Sequence, residues 1–286
     1  METLPSHTVR PVAPAAGYIG GKRRLAARLV DLIETIPHAT YAEPFVGMGG
    51  VFLRRRRAAA TEVINDVSGD VATFFRILQR HHGAFLDVLR FGVTSRREFD
   101  RLIATDPASL TDLERAARFL YLQRLAFGGK VAGRSFGVSP GVSGGFDLKK
   151  LRPTLADIAE RLSGVIVENL DWAEFVRRYD APGVLFYLDP PYWGLEHDYG
   201  SGVFARADFA RLAEVLAGIE GTFVLSINDH PEVRQTFAAF DLEEVRLDYS
   251  IGRGAPKEVG ELVITPKGQG RRVVARGLFD ALRDSS

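Results

Sequence analysis

Val184-Leu-Phe-Tyr-Leu-Asp189-Pro190-Pro191-Tyr192 decides the fold of this 286-residue chain. An apolar run bounded by proline has the pattern of an interior strand in a parallel sheet, buried on both faces. Two consecutive prolines lack backbone N–H groups and restrict the residue before them, so the strand must end at Asp189. In open α/β sheets, ligands bind just beyond the carboxyl ends of the strands. Asp189 and Tyr192 are therefore expected where chemistry takes place, on a stiff turn. An acid, the Pro190 carbonyl and an aromatic ring suit a planar group bearing an amine: two acceptors for its N–H protons and a face for stacking.

The same strand-then-turn logic recurs upstream. Tyr41-Ala-Glu43-Pro44-Phe45-Val46-Gly47-Met48-Gly49-Gly50-Val51-Phe52-Leu53 reads as a short strand, a glycine-rich turn and a helix, the usual nucleotide-binding geometry. Its spacing departs from G-x-G-x-x-G, so a nicotinamide or flavin site is not favoured. Arg54 to Arg57 are expected to close that helix, where cations complement the C-terminal dipole, with a DNA contact as the other reading. Thr61–Asp66 is the next strand and ends in an acid placed to accept hydrogen bonds from ribose hydroxyls. Asn65, Asp66 and Ser68 also suit the start of a helix over Val71–Leu78. Before all of these, Tyr18-Ile-Gly20-Gly21-Lys22 leads into a helical stripe of Leu25, Leu29, Leu32, Ile33 and Ile36. Gly-Gly-Lys at a helix start reads as an anion cradle or as a tight turn.

Composition bounds the classes. There is no cysteine, which excludes disulfides, thiolate metal sites and a cysteine nucleophile. No apolar stretch is long enough to span a membrane, and residues 1–16, rich in Pro and Ala, read as a flexible arm. The net charge is only +1, but Arg76 to Arg134 holds eleven Lys/Arg against six Asp/Glu. Such a concentration points to an acidic partner. Residues 68–163 interrupt the strand–helix alternation with helical patterns at Val71–Gln79, Arg96–Ile103 and Leu113–Phe127. The stretch Phe127-Gly-Gly-Lys130-Val-Ala-Gly133-Arg134-Ser-Phe136 interleaves basic and aromatic residues, as a hairpin loop or as a nucleic-acid reader. A helix is expected from Pro153 to Leu162, a strand at Val165–Val167, and a helix opening at Asp171-Trp172. Thr222–Ile227, Leu242–Tyr249 and Glu261–Thr265 supply late strands, and 267–286 a basic tail.

Taken in order, these motifs resemble the Dam-type, class α DNA adenine N6-methyltransferases. The resemblance covers roughly residues 17–266. It rests on Tyr18-Ile-Gly-Gly-Lys22, Glu43-Pro-Phe-Val-Gly-Met-Gly-Gly50, Asn65-Asp66, Asp171-Trp172, Asp189-Pro-Pro-Tyr192, Ser250-Ile251 and Glu261-Leu-Val-Ile264. It implies a Rossmann-like α/β methyltransferase fold: a seven-stranded, mostly parallel sheet with one antiparallel strand near its edge. The catalytic domain would comprise 17–67 and 164–266, with a mainly helical target recognition domain inserted at 68–163. S-adenosylmethionine is the implied methyl donor. Tyr18, Lys22, Glu43, Phe45, Asp66 and Asp189 would line its site, Gly47 and Gly49 would lie beneath it, and Asp171 would face its adenine ring. The implied partner is double-stranded DNA, met by Arg124, Lys130 and Arg134. No metal is implied. The family is commonly monomeric in solution, and the expected location is the cytoplasm of a bacterial cell or a phage-infected host. Phe127-Gly-Gly-Lys130 departs from the Phe-Asn-Gly-type stretch of the family, so a GATC target is not implied.

The chemistry is consistent with those residues on independent grounds. An adenine N6 lone pair is conjugated into its ring and is a poor nucleophile. Hydrogen bonds from its protons to Asp189 and the Pro190 carbonyl would localise that pair, with Tyr192 stacked on the base. Transfer then needs positioning and charge placement rather than a covalent intermediate. The base must leave the duplex, at a cost of roughly a few kcal/mol. Cytosine C5 methylation needs a cysteine and is excluded. Three other readings stay open: a same-fold methyltransferase acting on RNA or a protein amide, a DNA-binding protein with an inactive methyltransferase fold, and, most distant, a nucleotide-dependent oxidoreductase.

Overall fold

The structure is a computed structural model and describes residues 6–18, 22, 25–90, 92–137, 145–200, 202–249 and 257–269. In chain order its elements are β1 (His7–Thr8), α1 (Ala26–Thr35), β2 (Thr40–Glu43), β3 (Arg57–Ala58), β4 (Thr61–Asn65), α2 (Gly69–Leu89), α3 (Arg96–Ala104), α4 (Asp112–Leu125), α5 (Leu148–Arg161), β5 (Ile166–Glu168), α6 (Trp172–Tyr179), β6 (Val184–Leu188), α7 (Arg206–Gly218), β7 (Thr222–Asn228), α8 (Pro231–Thr236), β8 (Asp241–Tyr249) and β9 (Lys257–Thr265).

Every residue of β6 is buried. The reason is its place in a seven-stranded sheet of order β5-β4-β2-β6-β7-β9-β8. Leu185 and Tyr187 join one apolar cluster with Tyr41, Ile64 and Val224, against α1, α2, α4 and α5. Phe186 and Leu188 join a second with Ala42, Val63 and Leu225, against α6, α7 and α8. A strand covered on both faces has no solvent side, which is why the run shows no polar alternation. β5, β4, β2, β6 and β7 are parallel neighbours, and β9 runs antiparallel between β7 and β8. The expected mostly parallel sheet with one reversed strand near the edge is the sheet observed.

From β2 the chain steps outward through β4 to β5, then returns to β6 on the other side of β2. The switch point therefore lies at the carboxyl ends of β4, β2 and β6. Glu43, Asp66 and Asp189 end or follow those three strands.

Three expectations need correction. The glycine-rich turn does not open an α-helix; it continues into a single 3-10 turn at Phe52–Arg54. Arg55 leaves it in an extended conformation because its guanidinium is drawn into the core. That group is 1% exposed, donates to Glu62 and stacks 3.8 Å over the Tyr41 ring. Arg56 bonds to Asp31 and Glu34, and Arg57 opens β3, so Arg54 to Arg57 do not form a helix end.

The N-terminal segment is not a free arm from Ser6 onward. β1 pairs with β3, and Val12, Ala15 and Ala16 are buried in the first cluster. Residues 1–5 lie outside the described residues, as do Gly20 and Gly21 and the tail from 270. The third correction concerns α5, which begins at Leu148, capped by Asp147, and carries Pro153 within it. Residues 68–163 are largely helical as their patterns predict, and α2, α4 and α5 pack into the same apolar cluster as the sheet. Among the described residues no helix is long and apolar enough to cross a membrane.

Candidate active site

A cleft of about 460 Å³ opens over the switch point. Tyr18, Lys22, Glu43, Phe45, Gly47, Asp66 and Asp189 all line it, so seven of the nine residues expected around a cofactor are brought together. Gly47 has φ 51°, and a Cβ there would lie 3.0 Å from two ring carbons of Tyr18. The glycine is needed both for its backbone and for the ring that packs on it. Gly49, with φ 75°, lies below the turn, where a Cβ would meet the Leu53 side chain at 2.9 Å. Asp171 does not line the cleft. Its carboxylate accepts from the backbone N–H groups of Ala173 and Glu174 and so caps α6.

Asp66 holds the turn in place. One oxygen accepts from the Gly47 N–H and the other from the Ser68 N–H, each at 2.9 Å. Burial pushes its carboxyl up to about 6, against the pull of those two donors. Asn65, beside it, bonds to the Pro44 and Leu170 carbonyls and to the Leu170 N–H, tying together the ends of β2, β4 and β5. Glu43 is fully buried, accepts from the Tyr41 hydroxyl at 2.5 Å, and is raised to about 8 chiefly by burial.

Asp189 follows β6 as expected. Lys22 Nζ stands 2.6 Å from its Oδ1 and donates to the Tyr192 hydroxyl at 2.6 Å. Burial raises the Asp189 carboxyl to about 6, with Lys22 opposing. Tyr192 does not line the cleft: its hydroxyl donates to Glu261, which is completely buried in β9. Pro190 is buried, and Pro191 lines the cleft beside Asp189. Asp189 and Pro191 thus line the cleft just past the end of a strand whose every residue is buried.

Residues 18–251 match the family of D12 class N6 adenine-specific DNA methyltransferases. The chain belongs to that family. It is similar to a type II methyltransferase, M1.LlaDCHI, of Lactococcus lactis subsp. cremoris, at 24% identity over 279 residues, covering 89% of this chain and 95% of the relative. A second type II methyltransferase, M.CviBI, of Paramecium bursaria Chlorella virus NC1A, is 21% identical over 82% of this chain and 90% of its own. The DNA adenine methylase of Escherichia coli (strain K12) is 26% identical over 86% of this chain and 92% of its own length.

For an adenine-specific DNA methyltransferase, the DNA-facing residues matter next. Lys130 is exposed. Arg124 and Arg134 are half-buried and make hydrogen bonds within the protein. Arg124 donates to the carbonyls of Gly145 and Ala15 and lines the cleft, and Arg134 donates to Gln123 Oε1 and to the Lys130 carbonyl. Burial lowers the pKa of both guanidiniums.

Gln123, Asn228 and Glu261 support the site beyond the residues expected to form it. Gln123 is 1% exposed, and its amide donates to the Gly17 and Gly129 carbonyls, joining the Tyr18 segment to the Phe127-Gly-Gly-Lys130 turn. The signal available for Glu261 was an acid opening an otherwise apolar strand run, which either faces water or has a buried partner. Among the described residues no group of His, Cys, Asp and Glu is arranged to hold a metal ion.

Proposed function

We propose that the chain methylates N6 of an adenine flipped out of double-stranded DNA, with S-adenosylmethionine held in the cleft of a Rossmann-like catalytic domain. The observation that carries this reading is Asp189, ionisable and held by Lys22 at the end of β6, on the rim of a cleft built over the switch point. The residues fit the cofactor: a turn made of glycine where a Cβ would strike Tyr18, and carboxylates at the ends of three adjacent strands. Tyr18, Lys22, Glu43, Phe45, Gly47 and Asp66 would hold it. When bound, it supplies a methyl group on a cationic sulfur.

The protein's own groups act on the base. Asp189 and the Pro190 carbonyl accept hydrogen bonds from the two N6–H groups and turn the nitrogen lone pair out of the ring. Once nitrogen bonds the methyl carbon and the carbon–sulfur bond breaks, the one surplus N6 proton leaves to Asp189 or solvent. The stiff Pro-Pro turn keeps both acceptors in register, so little of the barrier is spent on ordering them. Tyr192 supplies a ring face to the base. The segment 68–163 reads the DNA. Phe127 (66% exposed) and Lys130 stand on the turn that Gln123 ties to Gly17, beside the cleft.

The test is methyl transfer from labelled S-adenosylmethionine to unmethylated genomic DNA, followed by nucleoside analysis and mapping. N6-methyladenine at a short repeated sequence is expected. Cofactor binding with no label in DNA, or label found in RNA or protein, overturns the reading.

A further inference from the structure

Four ionisable or polar side chains meet behind the catalytic turn: Asp189, Lys22, Tyr192 and Glu261. Glu261 is 0% exposed and Lys22 3%. Lys22 Nζ reaches Asp189 and the Tyr192 hydroxyl, and lies 4.1 Å from the centroid of the Tyr192 ring. The Tyr192 hydroxyl donates to Glu261 Oε1. Glu261 Oε2 makes no hydrogen bond among the described residues and stands 3.9 Å from Lys22 Nζ. A carboxylate with one oxygen lacking a hydrogen bond in the core is costly.

Its position in the sheet explains what it does. β9 pairs with β7 in a register that sets Glu261 opposite Asn228. Asn228 accepts from the Trp193 N–H at 2.9 Å and donates to the Trp193 carbonyl at 3.1 Å. One cross-strand pair thus grips two consecutive residues of the turn, Tyr192 by its side chain and Trp193 by its backbone.

We propose that Glu261 is a positioning residue for methyl transfer: it anchors the Tyr192 hydroxyl, so setting the plane of the ring offered to the base, and it shares Lys22 with Asp189. This rests on the reading of Asp189 as acceptor for the target amine. Asp189 is faced by Lys22 from the segment before α1, Glu43 from β2, Tyr187 from β6, the Ser226 hydroxyl from β7 and Glu261 from β9. Glu261 is faced by Lys22, Tyr192, Asp189 and Tyr187. Two carboxylates therefore compete for one ammonium, and the negative charge of Glu261 makes Asp189 harder to ionise.

The experiment is the pH profile of kcat/KM for methyl transfer to DNA by the full chain and its Glu261→Gln, Glu261→Ala and Asp189→Ala variants. Glutamine keeps the volume and can still accept from the Tyr192 hydroxyl, but it lacks the charge. Glu261→Gln is expected to retain kcat within about fivefold while its acid limb moves to lower pH. Glu261→Ala loses the anchor as well, and kcat/KM should fall about tenfold or more, the fold-change equivalent of one lost hydrogen bond to a charged group. Thermal melts identify an alanine variant that has simply unfolded, in which case Glu261→Gln alone decides. An unmoved acid limb in Glu261→Gln, alongside an inactive Asp189→Ala, overturns the inference and leaves the catalytic reading intact. An active Asp189→Ala overturns the reading beneath it.

Discussion

Lys22 Nζ lies 2.6 Å from Asp189 Oδ1, so the acid proposed to meet the substrate amine is paired, against its burial, with a lysine from the segment before α1. Lysine opposes the burial that lifts this carboxyl, and the balance stands at about 6. As pH falls through that value the carboxyl gains a proton and, on the proposed reading, stops accepting from N6. Activity should therefore fade below about pH 6. Asp189→Ala removes the acceptor and should lower kcat at least about a hundredfold, the scale seen when one preorganised polar group is lost from an active site. Circular dichroism should still show a folded protein, because the side chain is not part of either apolar cluster.

Gly49 sits at φ 75° with Leu53 where its Cβ would be. Gly49→Ala combines a left-handed backbone with a contact at 2.9 Å, and should cost about 1–3 kcal/mol. Gly47→Ala meets the Tyr18 ring instead, so its first effect should be on the cleft. Calorimetry is expected to show weaker S-adenosylmethionine binding for Gly47→Ala, and thermal melts a lower Tm for Gly49→Ala with less change in affinity.

The parts of this protein legible in its sequence are those governed by local chemistry. The β6 run, the proline stop at Asp189 and the turn glycines follow from sterics and hydrogen-bonding capacity within a few residues, and the cleft forms where they meet. What was not legible depends on distant partners. Arg55 looks like a helix-end cation until Glu62, in the next strand, is seen to hold it in the core. Arg124 and Arg134 carry the composition of a DNA contact, and Gly145, Ala15 and Gln123 also accept hydrogen bonds from them. Glu261 gains its meaning only from a cross-strand register. The N-terminal segment, weak in pattern, is ordered by pairing with β3.

DNA binding should separate Lys130 from Arg124. The basic excess over residues 76–134 predicts affinity that falls as salt rises, through release of counterions from the phosphates. Lys130 is exposed beside the cleft, so Lys130→Ala should weaken binding and reduce the log–log salt slope by about one. Arg124 is bonded to two backbone carbonyls, so Arg124→Ala should lower Tm and cofactor affinity while leaving the salt slope unchanged. Fluorescence anisotropy of labelled duplex DNA across a salt series checks both. Equal slopes for Lys130→Ala and the parent would remove Lys130 from the interface.

Glu62, in β4, joins Arg55, just past the Phe52–Arg54 turn, to Arg161 at the end of α5. It is 6% exposed, accepts from Arg55, and takes both terminal nitrogens of Arg161, at 2.6 and 2.9 Å. Each guanidinium also sits over an aromatic ring, Arg55 3.8 Å from the Tyr41 centroid and Arg161 4.1 Å from that of Phe52. Replacing such a triad with apolar residues can be neutral, but removing only its acid leaves two buried cations facing each other. Glu62→Ala should therefore destabilise the fold by about 3–5 kcal/mol. Denaturant titration of Glu62→Ala against Glu62→Ala/Arg161→Met gives the decisive comparison. The double variant is expected to recover part of the loss because one uncompensated charge has been removed with its partner. If it is instead less stable than Glu62→Ala alone, packing by Arg161 on Phe52 outweighs the charge, and the electrostatic account of this joint fails.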